Sequence, residues 1–326
     1  MLRSPKIYAA FAVIALISLL SIFKTDPNRS AKTLVAIANY GPHSSLLQTI
    51  DGIKEELTKL GYTEGENINY EISDVNFETS LIIQMLHKLK ASKPDVIVAI
   101  STPIAQAAKN LIKDIPVIYA NVTNPEEAGL VSDDIDTNIT GASDRQDFSV
   151  MLDFAKKLLP RAKTVGVLYS LGEANDASMV DALKKTAEIL SINVLAVPIE
   201  HTRDVATRMR VFKGNVDFIY TGSSGAIQAS LPAIASTAES MKLPVFNFNS
   251  AEVMSHNVLA SYGISHRQIG ANAGQIIHRV LLGIKPVDIK PVYPDKADYA
   301  GFISRKRAAK IELAIPADLK NVTIVD

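Results

Sequence analysis

From Lys32 onward the chain alternates short β-rich apolar runs with stretches whose apolar residues recur every three or four positions. A period of two or a continuous apolar run belongs to a strand, and a period of 3.6 to one face of a helix. Leu34 to Ala38 reads as a first strand. Leu46, Leu47, Ile50, Ile53, Leu57 and Leu60 then mark one face of a helix that Gly61 ends. A strand over Ile68 to Ile72 follows, then a helix carrying Leu81, Ile82, Met85, Leu86 and Leu89. Asp95 to Ile100 is apolar on both sides of the pleat after Asp95, the mark of a strand buried on both faces. Ser101-Thr102-Pro103 opens a helix, with hydroxyl caps and a proline in the first turn. After a strand over Pro116 to Ala120 comes a polar, turn-rich stretch from Asn121 to Asp147, which reads as a crossing between two halves. A second series then runs in order: helix Phe148 to Leu159, strand Thr164 to Tyr169, helix Ala177 to Leu190, strand Val194 to Ile199. Helix Arg203 to Phe212, strand Asp217 to Thr221, helix Ala226 to Met241 and strand Pro244 to Phe248 complete it. Two consecutive β/α series predict an α/β protein with two doubly wound parallel-sheet lobes.

The first residues break this pattern. Arg3 and Lys6 precede an uninterrupted low-polarity run from Ile7 to Phe23, followed by Lys24. Residues 1–31 therefore read as a signal peptide or an uncleaved membrane anchor, with the rest of the chain outside the membrane. Localisation is expected to be periplasmic or otherwise extracytoplasmic, with residues 7–23 as the tether if the segment is retained.

Charge and composition narrow the chemistry. The 34 basic residues balance the 34 acidic ones, so the footprint of a nucleic-acid binder is missing. There is no cysteine, hence no thiolate nucleophile and no thiolate metal site. The six histidines form no HExxH pair, and no metal or cofactor is expected. The sequence also lacks a GxSxG elbow, a GxxxxGK[ST] loop and a dinucleotide GxGxxG after the first strand. No catalytic residues are assigned, and the chain reads as a binder and not an enzyme.

Open α/β sheets bind ligands beyond the carboxyl ends of their strands. The segments there are alike: Asn39 to His43, Ser101-Thr-Pro103, Asn121 to Pro125, Tyr169 to Glu173, and Thr221 to Gly225. Each offers hydroxyl, amide or backbone donors ahead of a helix, which suits a small polar or zwitterionic ligand. Thr102, Ser223 and Ser224 are expected to hold its acidic end, and Asn124 or Asp144 its ammonium group. His43, Ser170 and Tyr262 complete the set of candidate ligand-binding residues.

Several segments, taken in order, resemble the ABC transporter substrate-binding family whose characterised branch takes tryptophan, tyrosine or related amino acids. They are His43 with Gly52, Leu60 to Asn67, Lys93 to Gln106, Ile115-Pro-Val117, Val122 to Val131, Asn138 to Gly141, Leu243 to Phe246, Ala260 to Ile264 and Ile269-Gly270. Two positions depart from the family's pattern: Asn124 stands where Asp is common, and Ser304 where Asn is usual. The resemblance implies a type I periplasmic-binding fold whose lobes exchange chain more than once. It places lobe one at 32–142 plus 251–284 and lobe two at 143–250 plus 285–326. It also implies capture of an aromatic or apolar amino acid between the lobes, an ABC permease in the membrane as partner, and no cofactor. The alternative is an anchored sensor that uses the same fold without transport.

Overall fold

The computed structural model describes residues 32–131, 137–295 and 299–326. The export or anchor segment expected over 1–31 lies outside them. Among the described residues no helix is long and apolar enough to cross a membrane.

The chain builds two sheets. The first contains β1 (Thr33–Asn39), β2 (Ile68–Asp74), β3 (Val96–Ile100), β4 (Val117–Val122) and β5 (Ile139–Ser143) in the order β2-β1-β3-β4-β5, all parallel. Between them run α1 (Ser44–Lys59), α2 (Ile82–Ala91) and α3 (Thr102–Leu111). Every residue of β3 and β4 is buried, as their unbroken apolar runs require of central strands covered on both faces. Two apolar clusters, one on each side of the sheet, share alternate residues of the same strands: Val35, Ile37 and Val98 face one way, Ala36, Ala38 and Ile97 the other.

The second sheet begins after α4 (Phe148–Leu158). It takes in β6 (Thr164–Ser170), β7 (Asn193–Ile199), β8 (Phe218–Thr221), β9 (Val245–Asn247), β10 (Ala260–Gly263), β11 (Ala300–Ser304) and β12 (Val322–Val325). Its order is β12-β11-β10-β9-β8-β6-β7, and only the β10–β11 pair is antiparallel. Read from β7, the order β7-β6-β8-β9-β10 repeats the doubly wound pattern of the first sheet. The intervening helices are α5 (Ala174–Ile189), α6 (Gly225–Ala229), α7 (Leu231–Ser240), α8 (Ser250–Met254), α9 (His266–Leu281) and α10 (Arg305–Lys310).

The structure departs from the sequence reading at three places along its elements. The stretch 121–147 is not only a crossing: Ile139–Ser143 is the fifth strand of the first sheet, fully buried. The helix expected over Arg203 to Phe212 is a single α-turn, Val205–Arg208, between 3-10 turns at Thr202–Asp204 and Met209–Phe212. The tighter winding keeps Met209 and Phe212, three apart, together in the core. The helix expected over Ala226 to Met241 breaks at Ser230, because Pro232 has no N–H to donate to the preceding turn.

The lobe boundaries also move. Residues 251–284 were expected as one block with the first lobe, but β10 pairs with β9 and β11, and Leu259 and Ala260 belong to the second lobe's core. The chain crosses only after Gly263, and α9 then packs on α1 and on β4 and β5. Residues 285–292, expected with the second lobe, stay with the first: Ile289 enters its core, and Val292 bridges Ala142.

Candidate functional site

The carboxyl ends of the two sheets face one another across a narrow cleft. From the first lobe, Tyr40 and His43 come from the segment after β1, Phe77 from that after β2, Ser101 from the end of β3, and Asp144 from the residue after β5. Asn121 belongs to β4 itself, and His266 is the first residue of α9. The second lobe supplies Asn175, Ser223, Gln228 and Phe248. This is where a doubly wound sheet must place its site, since its parallel β/α units end their strands on one side and the helices turn back from it.

The cleft is polar in an unusual sense: its buried polar atoms lack partners. Asp144 Oδ1, Asn121 Nδ2, Asn175 Oδ1, Gln228 Oε1 and both ring nitrogens of His266 make no hydrogen bond within the protein, and neither does Thr102 Oγ1 beside Ser101. A buried polar group left unpaired costs about 1–3 kcal/mol, so a cluster of them around one space marks where a polar ligand completes the bonding. Their other atoms are committed. Asn121 Oδ1 accepts from Thr49 Oγ1 at 3.0 Å, and Asn175 Nδ2 donates to Ser223 Oγ at 3.3 Å. The Gln228 amide nitrogen donates to the Gly222 carbonyl.

Backbone strain gathers at the same place. Ser101 holds φ 88° and ψ 151°, a region that suits only glycine and costs about 1–3 kcal/mol elsewhere. Its side chain makes no capping bond to α3.

Among the described residues no Lys or Arg lines the cleft, whereas Asp144 lines it and the carboxylates of Glu173 and Asp176 are buried nearby. Burial pushes Asp144 up to about 6, against the opposing bonds from Thr123 and its own backbone. Glu173 is pushed up to about 8, first by burial and then by the neighbouring Asp176. Asp176, fully buried, rises to about 6 for the same first reason, opposed by Ser224 and by the Ser170 amide at 2.7 Å. Burial and then the facing His43 lower His266 to about 3, so its ring is neutral at physiological pH.

These shifts give the ligand-free protein a definite pH dependence. For the three carboxylates the folded value lies above the unfolded one, so the stability they contribute is complete below about 4 and is lost as pH rises through 6 and then 8. His266 works the other way between its ordinary value of 6.5 and about 3, but it is one group against three. The unfolding midpoint of the ligand-free protein is expected to fall steadily from pH 5 to pH 8, and a differential-scanning series would reveal a flat or rising profile if these groups are not buried as described.

Across the cleft mouth the lobes are tied by polar contacts. His43 Nε2 lies 3.4 Å from Glu252 Oε1, which also accepts from Ser44 Oγ at 3.0 Å, and Asn249 Nδ2 donates to Ser44 Oγ at 2.9 Å.

Of the eight residues singled out in the sequence, His43, Asp144 and Ser223 line the cleft. Thr102 is buried just behind Ser101 with its hydroxyl unpaired. The other four do not reach the lining. Asn124 turns outward, where its Oδ1 accepts from Arg145 Nη2 at 2.9 Å and from the Glu127 amide. Ser170 stands at the outer mouth, its hydroxyl accepting from the Gly172 amide. Ser224 is fully buried beside Asp176. Tyr262 packs in the second lobe against Phe154 and Tyr299, ring centroids 4.9 and 6.3 Å apart. The sequence reading missed Asn121, Asn175, Gln228 and His266 as contributors. Asn121 carried a signal, being a polar residue at the start of the segment read as following a strand, whereas Asn175 lies within α5. Gln228 and His266 carried none, because a polar residue on a helix is ordinarily solvent-facing.

Comparison with known proteins gives a consistent set of relatives. The family model of the ABC transporter substrate binding protein matches residues 34–323. A tyrosine-binding protein of Clostridioides difficile (strain R20291) is 31% identical over 277 residues, 84% of this chain and 79% of that protein. The crystal structure of an ABC domain in complex with L-Trp from Streptococcus pneumonia superposes with a TM-score of 0.84 at 29% identity, covering 91% of this chain and all of that one. The ligand-free, open structure of a substrate-binding protein with adhesive properties from Clostridium difficile, also 29% identical, superposes with a TM-score of 0.69 over 90% of this chain and 99% of that one. At equal identity, the chain superposes better on the ligand-bound relative than on the open one.

Proposed function

The chain belongs to the ABC transporter substrate-binding protein family, and from that premise we propose that it captures an aromatic amino acid outside the cytoplasm and delivers it to an ABC permease. The observation that carries the reading is the narrow cleft ringed by unpartnered buried polar atoms and walled by Tyr40, Phe77 and Phe248. Such a space suits a ligand with a zwitterionic head and a flat apolar body. Asp144 receives the ammonium group, as a buried carboxylate with a free oxygen does best when a cation reaches it. The carboxylate goes to the amino end of α3 at Ser101 and Thr102, with Asn121 Nδ2 beside it. The second lobe's Gly225 amide is not available for that role, because Glu173 Oε1 already accepts from it at 2.8 Å. Ligand spanning both lobes favours the closed form by its differential affinity, and the closed form is what a permease distinguishes. The apolar segment 7–23 supports export or tethering at the membrane.

The test is a panel of L-tyrosine, L-tryptophan, L-phenylalanine, L-leucine, tyramine and 4-hydroxyphenylpropionate, read by thermal shift and calorimetry. An aromatic amino acid at ~100 times its dissociation constant stabilises by about 2.7 kcal/mol. The compounds lacking either the amine or the carboxylate are expected to bind far more weakly. Equal binding of leucine and tyrosine removes the aromatic reading, and no binding anywhere in the panel removes the amino-acid reading.

A further inference from the structure

We infer that Gly225 is the seat on which the first lobe closes, and that Tyr40 and Phe77 form the outer door of the ligand cleft. Both rings belong to the first lobe, while Gly225 opens α6 in the second. A β-carbon built on Gly225 meets Phe77 Cδ1 and Tyr40 Cε1 at 2.8 Å each, closer than real side chains approach. Neither ring can step aside. Phe77 is held in left-handed backbone at φ 65°, and its amide donates to the Tyr40 carbonyl at 2.8 Å. Its ring is also pressed against Gly41, where a β-carbon would lie 2.6 Å from it. Tyr40 meets Phe77 edge-on at 5.5 Å and is buried beside Glu173 of the opposite lobe, whose charge adds to burial in pushing the phenol upward.

The position of the pair is as telling as its fit. Tyr40 and Phe77 line both the narrow cleft and the wide outer hollow reached by Glu78 and Thr79 on one side and Glu200 to Arg203 on the other. Two rings on glycine therefore separate bound ligand from solvent. The contact exists only when the lobes have closed, so Gly225 acts on affinity by permitting closure without itself lining the cleft. This rests on the capture reading above, but it can be judged separately from the identity of the ligand.

Gly225 has no left-handed φ, so alanine fits its backbone and is a good first residue for a helix. The nearest atoms its methyl group meets all belong to rings from across the cleft. The Gly225→Ala variant is expected to unfold at the wild-type midpoint when ligand-free and to release L-tyrosine or L-tryptophan roughly ten- to a hundredfold faster, the scale of one overpacked methyl group. Because the chain has no cysteine, spin labels on Ser80→Cys and Thr202→Cys, both exposed at the mouth, report the gap directly. Ligand is expected to shorten that distance in the wild type and to leave it long in Gly225→Ala. Phe77→Ala alters one half-buried ring in a loop and is expected to speed release roughly tenfold with the short distance retained, which keeps the door testable should Gly225→Ala fail to fold. Unchanged mouth distances and release rates in both variants overturn the inference. If the wild type takes neither amino acid, the capture reading fails, and the minor short-distance population of the ligand-free wild type, expected to be lost in Gly225→Ala, still decides the seat.

Discussion

An Asp144→Asn variant is expected to bind L-tyrosine and L-tryptophan at least about thirtyfold more weakly than the wild type and, without ligand, to unfold at a higher temperature. The first effect follows from removing one partner of a desolvated charge pair, which costs about 2–5 kcal/mol, or about thirty- to several-thousandfold. The second follows from the ligand-free state. With the lobes together and no ligand between them, Asp144 is buried with Oδ1 unpartnered and its pKa pushed up to about 6, well above the ordinary carboxylate range. At neutral pH that carries a penalty of roughly 3 kcal/mol, which an amide does not incur. Binding strength and ligand-free stability thus move in opposite directions at one atom, as expected where a site stores unmet bonding for its ligand. The wild type is also expected to lose affinity about tenfold per pH unit below about 6, as Asp144 protonates, and the variant not to. Calorimetry across pH 5 to 8 on both proteins checks all three outcomes; a variant with wild-type affinity would move the ammonium group elsewhere in the cleft.

The largest stability effect is expected at the contact between α1 and α9. A β-carbon on Gly52 would lie 2.2 Å from the Arg267 carbonyl oxygen, and one on Gly270 2.2 Å from the Thr49 carbonyl oxygen. The two helices touch backbone to backbone, so neither clash is relieved by turning a side chain. Gly52→Ala gains up to about 1 kcal/mol of helix propensity, yet it must push apart two helices that close the first lobe's core, at a cost of about 3 kcal/mol or more. The loss reaches the site as well. Thr49 sits at this contact and its hydroxyl donates to Asn121 Oδ1, with the His266 carbonyl also in reach at 3.3 Å. Gly52→Ala is expected to lower the unfolding midpoint by roughly 10 °C and to weaken ligand binding too. Gly172→Ala, where the nearest atom lies 3.8 Å away, serves as the neutral control.

The cleft illustrates which residues periodicity can and cannot find. Asp144 and Asn124 are twenty residues apart in the same polar stretch, and both were candidates for the ammonium group. Only the pairing of β5 with β4 aims Asp144 inward, while Arg145 draws Asn124 out to the surface. Tyr262 and His266 show the converse. Tyr262 sits at a strand end, the usual place for a site residue, yet its ring fills a gap beside Phe154. His266 follows the crossing out of β10 and is carried into the cleft because α9 docks on the opposite lobe.

The sequence alone determined the α/β class, the strands buried on both faces, and the expectation that a cleft lies beyond the carboxyl ends of the strands. Those properties are written in local spacing, because the burial of a strand or helix face dictates which of its own residues are apolar. The segment-by-segment resemblance also pointed to the family. Only the tertiary structure decided that residues 251–263 remain with the second sheet, that 285–292 remain with the first, and that one carboxylate, two asparagines, a glutamine and a neutral histidine converge on a single narrow space. Local spacing records that a residue is buried but not what it is buried against, and a site made by closing two lobes depends on partners that lie far away along the chain.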